Sequence, residues 1–104
     1  MNAPTARIAE WQVFASPKAR HAVEVQDDSA ALEVRAGDFL IVTPQRRYDC
    51  DCRYLTRSME LVRMQAVGKG MVTVQRGDGA REPVSLAEAN DMIAARVVAV
   101  TRRT

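Results

Sequence analysis

Alternating hydrophobic and polar residues along this chain predict a series of short β-strands. Between residues 21 and 26, His21, Val23 and Val25 share one side of an extended chain, which is typical of a half-buried strand. Residues 39–43 form a continuous apolar strand that Pro44 ends. Further strands are predicted over residues 11–14, 52–57, 59–67, 71–76 and 96–101. The pattern therefore favours a β-rich fold.

Turn and capping signals divide these strands. Loops or turns are predicted at residues 37–38, 45–51, 68–70 and 77–79. Ser85 and Glu88 have the spacing of a capping box, which predicts a short helix ending near Asp91 or Ile93. Residues 30–36 leave two alternatives open, a helical turn or an irregular connection. With no βαβ rhythm and no internal repeat, the fold class is predicted to be mainly β, compact, with several short, mostly antiparallel strands and at most one short helix.

Length and composition indicate one ordinary globular domain. The chain has 104 residues, of which 47% are hydrophobic and 27% charged, and a formal net charge of +2. Residues 1–20 are predicted to form an N-terminal arm with a possible first strand, and residues 21–104 the β domain. The small charge does not by itself indicate a nucleic-acid partner. No apolar run approaches the roughly 20 residues that span a bilayer, and no signal-peptide pattern is present, so we predict a cytoplasmic protein with reduced cysteines.

A serine turn followed by a Gly-Asp turn is the most informative motif. Ser29 closes an Asp-Asp-Ser turn after the strand at residues 21–26, and Gly37-Asp38 leads into the apolar residues 39–42. This order resembles the LexA-like self-cleaving domains found at the C-terminus of phage repressors. Those domains carry a strand, a nucleophilic serine in a turn, and a Gly-Asp turn into a hydrophobic strand.

Further landmarks extend the resemblance. After Pro44, residues 49–51 read Asp-Cys-Asp where the family has Asp-Gly-Asp. Residues 61–64 read Leu-Val-Arg-Met where the family has Val-Lys-Arg, and residues 95–100 read Ala-Arg-Val-Val-Ala-Val where it has Gly-Arg-Val-Val-Gly-Val. The resemblance covers roughly residues 21–103 and implies a compact LexA-like β-strand fold.

The resemblance implies a self-cleavage site that has lost its base. In the family a neutral lysine takes the proton of the serine, and Ser29 and Arg63 occupy the two matching positions. Arginine is not deprotonated in proteins and therefore cannot activate a serine hydroxyl. We predict a non-enzymatic chain with a vestigial pair, in which Arg63 is solvated or pairs with Asp28 or Asp38. A plain turn serine and a serine self-cleaving peptidase acting through Ser29 are the alternatives.

The resemblance also implies a protein partner. Family domains dimerise through a β-rich surface, and the family's helix-turn-helix DNA-binding domain is not found in this sequence. We therefore expect a dimerisation or interaction module, phage- or prophage-related, that forms a homodimer or pairs with a related repressor and modulates it in transcription regulation. The interface is predicted on the last strand, at Arg96, Val97, Val98 and Val100.

Two other groups of residues carry weaker signals. Four arginines surround a predicted loop and strand and make a small nucleic-acid-binding β protein a second alternative: Arg46, Arg47, Arg53 and Arg57. Cys50 and Cys52 form a C-x-C pair, but a metal normally needs four ligands, so neither a metal site nor a cofactor is predicted. We interpret both cysteines as small half-buried strand residues, and His21 as a partly buried strand residue.

Overall fold

The computed structural model describes residues 6–7 and 20–102, which form one β-sheet and one short helix. The strands and the helix follow in chain order: β1 (Ala6–Arg7), β2 (His21–Val25), β3 (Phe39–Pro44), β4 (Cys52–Thr56), β5 (Leu61–Gly68), β6 (Met71–Gln75), β7 (Arg81–Ser85), α1 (Leu86–Met92) and β8 (Ile93–Thr101). The predicted mainly β class with a single short helix is therefore confirmed for the described residues.

The described strands form an antiparallel sheet in the order β1-β2-β3-β8-β4-β5-β6-β7. The last strand is therefore inserted between β3 and β4, far from either edge. A register shift between Ile41 and Val42 marks a bulge where β3 meets β8. Because β8 joins the two halves of the sheet, the chain can complete its fold only when this last strand has been added.

Local predictions of strands, turns and the helix start agree closely with the structure. The Ser85 side chain accepts a bond from the Glu88 backbone, the Glu88 side chain accepts one from the Ser85 backbone, and α1 ends at Met92. The connection at residues 30–36 is a turn closed by a bridge between Ser29 and Val34, so the irregular alternative is the correct one. The strand predicted at residues 11–14 lies outside the described residues.

The sequence pattern missed strand β7. Its five residues include Pro83, which has no N–H to donate, and only Val84 is buried. A proline is tolerated in an edge strand, where one side of the backbone needs no partner. β7 is the last strand on its side of the described sheet and pairs only with β6, with Pro83 opposite Thr73.

The buried side chains form two clusters. Adjacent residues of the middle strands belong to different clusters: Leu55 and Leu61 lie in the first, and Tyr54 and Val62 in the second. Since successive side chains of a strand point to opposite faces, β4 and β5 are buried on both faces at this point. The first cluster also contains Leu32 from the turn after Ser29, and the second contains Ala89 of α1.

Within the described part of the chain, we find no helix with the length and apolar character needed to cross a membrane.

Candidate functional site

The hydroxyl of Ser29, the predicted vestigial nucleophile, is fully engaged by the backbone around it. Ser29 is only 4% exposed. Its Oγ donates a hydrogen bond to the carbonyl oxygen of Gly77 at 2.7 Å and accepts one from the Leu32 N–H at 3.1 Å. Its backbone N–H and C=O both pair with Val34. The hydroxyl thus ties the turn at residues 30–34 to the turn that follows β6.

Arg63, the second member of the predicted vestigial pair, forms an ion pair with an unexpected partner. Its Nη2 is 2.9 Å from Glu33 Oε1 while its side chain remains 34% exposed, so of the two alternatives the pairing with Asp28 or Asp38 is not found. Asp28 instead accepts a bond from the Ala36 N–H at 2.8 Å. Glu33 itself has a positive φ of 59°, so the partner of Arg63 lies in the left-handed region of backbone conformation.

Asp38 and Lys69 do not supply a base for Ser29 either. The Asp38 carboxylate accepts a bond from the Arg35 N–H at 3.0 Å and pairs with Arg102 at 3.4 Å. Lys69 is exposed in the turn between β5 and β6, whereas a lysine acts as a neutral base only when it is desolvated. Nothing in these contacts activates Ser29, and its environment is that of a structural serine.

Arg53 strengthens the same turn. Its Nη1 donates to the carbonyl oxygen of Leu32 at 2.9 Å, and it lies opposite Arg63 in the pairing of β4 with β5. Burial lowers the pKa of Arg53, and the neighbouring positive charge of Arg63 acts in the same direction. Arg53 remains a cation because arginine begins from a very high pKa. Its guanidinium is occupied by the protein's own backbone.

The arginines predicted to contact nucleic acid therefore separate into two groups. Arg46, Arg47 and Arg57 are exposed, and their side chains form no ion pair with any residue that the structure describes. Arg53 points instead at the Leu32 carbonyl. The predicted set does not act as one surface, because one of its four members stabilises a turn of the protein.

The four residues of the predicted interface strand differ in exposure. Val97 is buried in the first cluster, and Val100 is half-buried against the same cluster. Arg96 and Val98 are half-buried. β8 pairs with β3 from Ala95 to Thr101 but with β4 only between Ile93 and Arg96, so the second side of its later half has no partner among the described strands.

A mostly apolar surface lies on the outward side of β2, β3 and β8. On β3, Phe39 and Ile41 alternate with buried residues, and Phe39 is 42% exposed. Their cross-strand neighbours on the same side are small or polar: Ala22 and Glu24 on β2, and Ala99 and Thr101 on β8. We call these six residues the outer face. Glu24 is its single charged member.

The two cysteines form a separate group of reactive side chains. Cys50 lies in the loop before β4, and Cys52 is the first residue of β4. Cys50 Sγ and Cys52 Sγ are 3.5 Å apart, with Cys50 exposed and Cys52 half-buried. Arg96 Nη1 lies 3.7 Å from Cys50 Sγ and 3.4 Å from Asp49 Oδ2. Burial raises the pKa of the Cys52 thiol, and a hydrogen bond with the Tyr54 hydroxyl opposes that shift in part.

Tyr54 fixes the backbone that carries these thiols. Its ring is fully buried, while its hydroxyl accepts bonds from the N–H groups of Asp49 at 3.0 Å and Cys50 at 3.2 Å. The same hydroxyl donates to the Cys50 carbonyl oxygen at 2.9 Å. Burial raises the pKa of Tyr54 well above its usual value, which keeps the phenol protonated.

A second tyrosine, Tyr48, stabilises the other side of the loop that carries Cys50. The Tyr48 hydroxyl donates to the Asp51 carboxylate, and both accept the Ala66 N–H at 3.0 Å. Burial and the bond to Asp51 raise the pKa of Tyr48 to about 12, and the same bond lowers the pKa of Asp51. Neither tyrosine is among the site residues predicted from the sequence. Their alternation with the cysteines over residues 48–54 was the signal that could have revealed this arrangement.

Among the residues that the structure describes, no three His, Cys, Asp or Glu side chains are grouped so as to hold a metal ion. Comparison of the chain with protein-family models, curated proteins and solved structures finds no match.

Proposed function

We propose that this chain is a non-catalytic, LexA-like interaction module that pairs with a second copy of itself or with a related repressor and modulates that protein. The setting we propose is cytoplasmic and phage- or prophage-related. The observation that carries the non-catalytic part is the state of Ser29. Its hydroxyl is buried, donates to the Gly77 carbonyl and accepts from the Leu32 N–H, so it is neither accessible nor activated.

The outer face supports the interaction part of the proposal. Phe39 and Ile41 are apolar, they lie on a central part of the sheet, and their neighbours on β2 and β8 are small. A clustered apolar surface with one charge is the composition expected of a protein–protein contact. A two-fold axis through this face would bring two identical surfaces together, which is the commonest symmetry of soluble homodimers.

Sedimentation of the purified chain at high micromolar concentration tests this proposal. We expect a dimer that Phe39→Glu converts to a monomer, because a glutamate opposite Glu24 would bury a second negative charge in the outer face. Val67→Glu is the matched control: Val67 is 57% exposed on β5, away from the outer face, and its substitution should leave the dimer intact. Circular dichroism establishes that both variants are folded.

A monomer that also captures no related repressor in a pull-down would contradict the proposal. Capture of a repressor by a monomeric chain would identify the partner as the repressor. Chain cleavage during prolonged alkaline incubation, abolished by Ser29→Ala, would favour the peptidase alternative. A salt-sensitive mobility shift with nucleic acid, lost when Arg46, Arg47 and Arg57 are substituted, would favour the nucleic-acid alternative.

A further inference from the structure

We infer that Cys50 and Cys52 form a redox-active dithiol that reacts with small-molecule disulfides and closes to a reversible disulfide within the chain. The two sulfur atoms are already in contact at 3.5 Å, and one of them is exposed. Neither cysteine contacts the Ser29 hydroxyl, and the reactivity of the pair does not depend on the chain being an interaction module.

Bending of the backbone brings the two sulfurs together. Residues two apart in a straight strand are separated by about 6.5 Å, near the upper end of the Cα separation of disulfides. Here the chain bends at Cys50 and Asp51, and β4 begins only at Cys52. A disulfide bond measures about 2.05 Å, so closure requires the sulfurs to approach by roughly 1.5 Å. A shift of that size can be accommodated by side-chain rotation and a small movement of an exposed loop.

The surrounding residues hold the loop in this bent form. The buried ring of Tyr54 carries a hydroxyl that makes three bonds to the backbone of Asp49 and Cys50. On the other side, Asp51 is held by Tyr48 and the Ala66 N–H. The chain is fixed on both sides of the Cys50 thiol, while the thiol itself remains exposed. This arrangement lowers the conformational cost of bringing the two sulfurs together.

The two thiols have different environments, which assigns them different roles. Cys50 is exposed, so a small disulfide can reach its sulfur, and the guanidinium of Arg96 lies 3.7 Å from that sulfur. Cys52 is half-buried, and burial raises its pKa. Cys50 is thus the attacking cysteine and Cys52 the resolving cysteine.

The reaction is a two-step thiol–disulfide exchange. The Cys50 thiolate attacks one sulfur of a small disulfide such as oxidised glutathione, forms a mixed disulfide, and releases one small thiolate, which takes a proton from water. Cys52 then loses its proton to water and attacks Cys50 Sγ, and the second small thiolate leaves and is protonated. The protein dithiol loses two electrons, and the small disulfide is reduced to two thiols.

The disulfide formed in this way should be easy to reduce. A ring that contains a single intervening residue, Asp51, leaves little freedom for the preferred disulfide torsion. Strained and exposed disulfides have more oxidising potentials than structural ones and serve as labile or regulatory bonds. The pair is therefore suited to a reversible response to oxidation in a compartment where thiols are normally reduced.

Equilibration of the chain with graded ratios of reduced and oxidised glutathione tests the inference. After an acid quench and alkylation, intact mass spectrometry counts the free thiols. We expect both thiols to be lost together in a monomeric species, and reduced glutathione to restore both. Persistence of two free thiols at every ratio, or a disulfide only between two chains, would overturn the inference.

Single substitutions test the two roles. In Cys52→Ser the remaining Cys50 should form the mixed disulfide roughly tenfold faster than Cys52 does in Cys50→Ser, because Cys50 is exposed and Cys52 is half-buried. Equal rates would overturn the assignment of roles.

Two matched arginine variants test the contribution of charge. Arg96→Gln should slow alkylation of Cys50 several-fold. Arg63→Gln is the control, since Arg63 has nearly the same side-chain exposure, 34% against 32%, but pairs with Glu33. An equal effect of both substitutions would contradict a specific role for Arg96.

Discussion

The turn after Ser29 and the loop before β4 both contain a residue type capable of nucleophilic chemistry, but the fold treats them in opposite ways. Ser29 is 4% exposed and its hydroxyl has a donor and an acceptor from the backbone. Cys50 is exposed and its sulfur contacts a second thiol and a guanidinium. In the first region the fold uses the side chain for stability, and in the second it leaves the side chain available for reaction.

This difference teaches that residue type and order along the chain do not define a reactive site. The serine motif resembles a known nucleophile, yet the described residues that contact its hydroxyl, Gly77 and Leu32, offer only backbone groups. The cysteine pair has no familiar motif, yet its contacts are those that thiol exchange requires. Burial and the identity of the nearest polar neighbours decide which side chain can react.

Removal of the two side chains should have unequal effects on stability, and this is the largest effect we expect. Ser29→Ala leaves the Gly77 carbonyl and the Leu32 N–H without their partner and should lower the free energy of unfolding by about 1–3 kcal/mol. Cys50→Ser alters an exposed side chain and should change it by less than about 0.5 kcal/mol. Urea unfolding measures both, and equal stability of Ser29→Ala and the unmodified chain would contradict a structural role for Ser29.

Tyr54→Phe should loosen the cysteine loop at a smaller cost. The substitution preserves the buried ring and removes a hydroxyl that makes three backbone contacts, for an expected loss of about 1–2 kcal/mol in urea unfolding. The freed loop should also alter the alkylation rate of Cys50. Tyr48→Phe, which removes the hydroxyl bonded to Asp51, is the comparison. If only the comparison variant changed the rate, Tyr54 would not be the residue that fixes the thiols.

The smallest effect should appear as a dependence of stability on pH. The Tyr48 hydroxyl and the Ala66 N–H lower the pKa of Asp51 in the folded chain. A carboxyl group with a lowered pKa stabilises the fold above its unfolded pKa of about 4, and the stabilisation is lost as pH falls through the folded value. Asp51→Asn should therefore be less stable than the unmodified chain at pH 7, with the difference shrinking in more acidic buffer.

Asp27→Asn controls for the loss of one negative charge, because Asp27 is exposed in the turn after β2 and forms no ion pair with a described residue. Urea midpoints of the three chains between neutral and acidic pH make the comparison. A difference for Asp51→Asn that stayed constant across this range would contradict the contribution of the Tyr48 contact.

Most of the strands and the helix start could be predicted from the sequence, because these features depend on neighbouring residues. Alternation places Val23 and Val25 on one side of a strand, and the reciprocal bonds of Ser85 and Glu88 join groups only three positions apart. Strand β7 escaped prediction because Pro83 breaks the local pattern. Only its position at the edge of the described sheet makes that proline acceptable.

The candidate sites required the tertiary structure, because their decisive contacts join residues that are far apart in the chain. Ser29 bonds to Gly77, 48 positions away, Arg63 pairs with Glu33, 30 positions away, and Arg96 reaches Cys50 across 46. Sheet order also determined that Val97 of β8 lies in the core and that β8 pairs with β4 only near its start. By itself the sequence determined the mainly β class, the turns and the helix cap, since short-range sterics and periodicity fix these. The folded arrangement alone decided which polar groups meet, and so which side chains are inert and which can react.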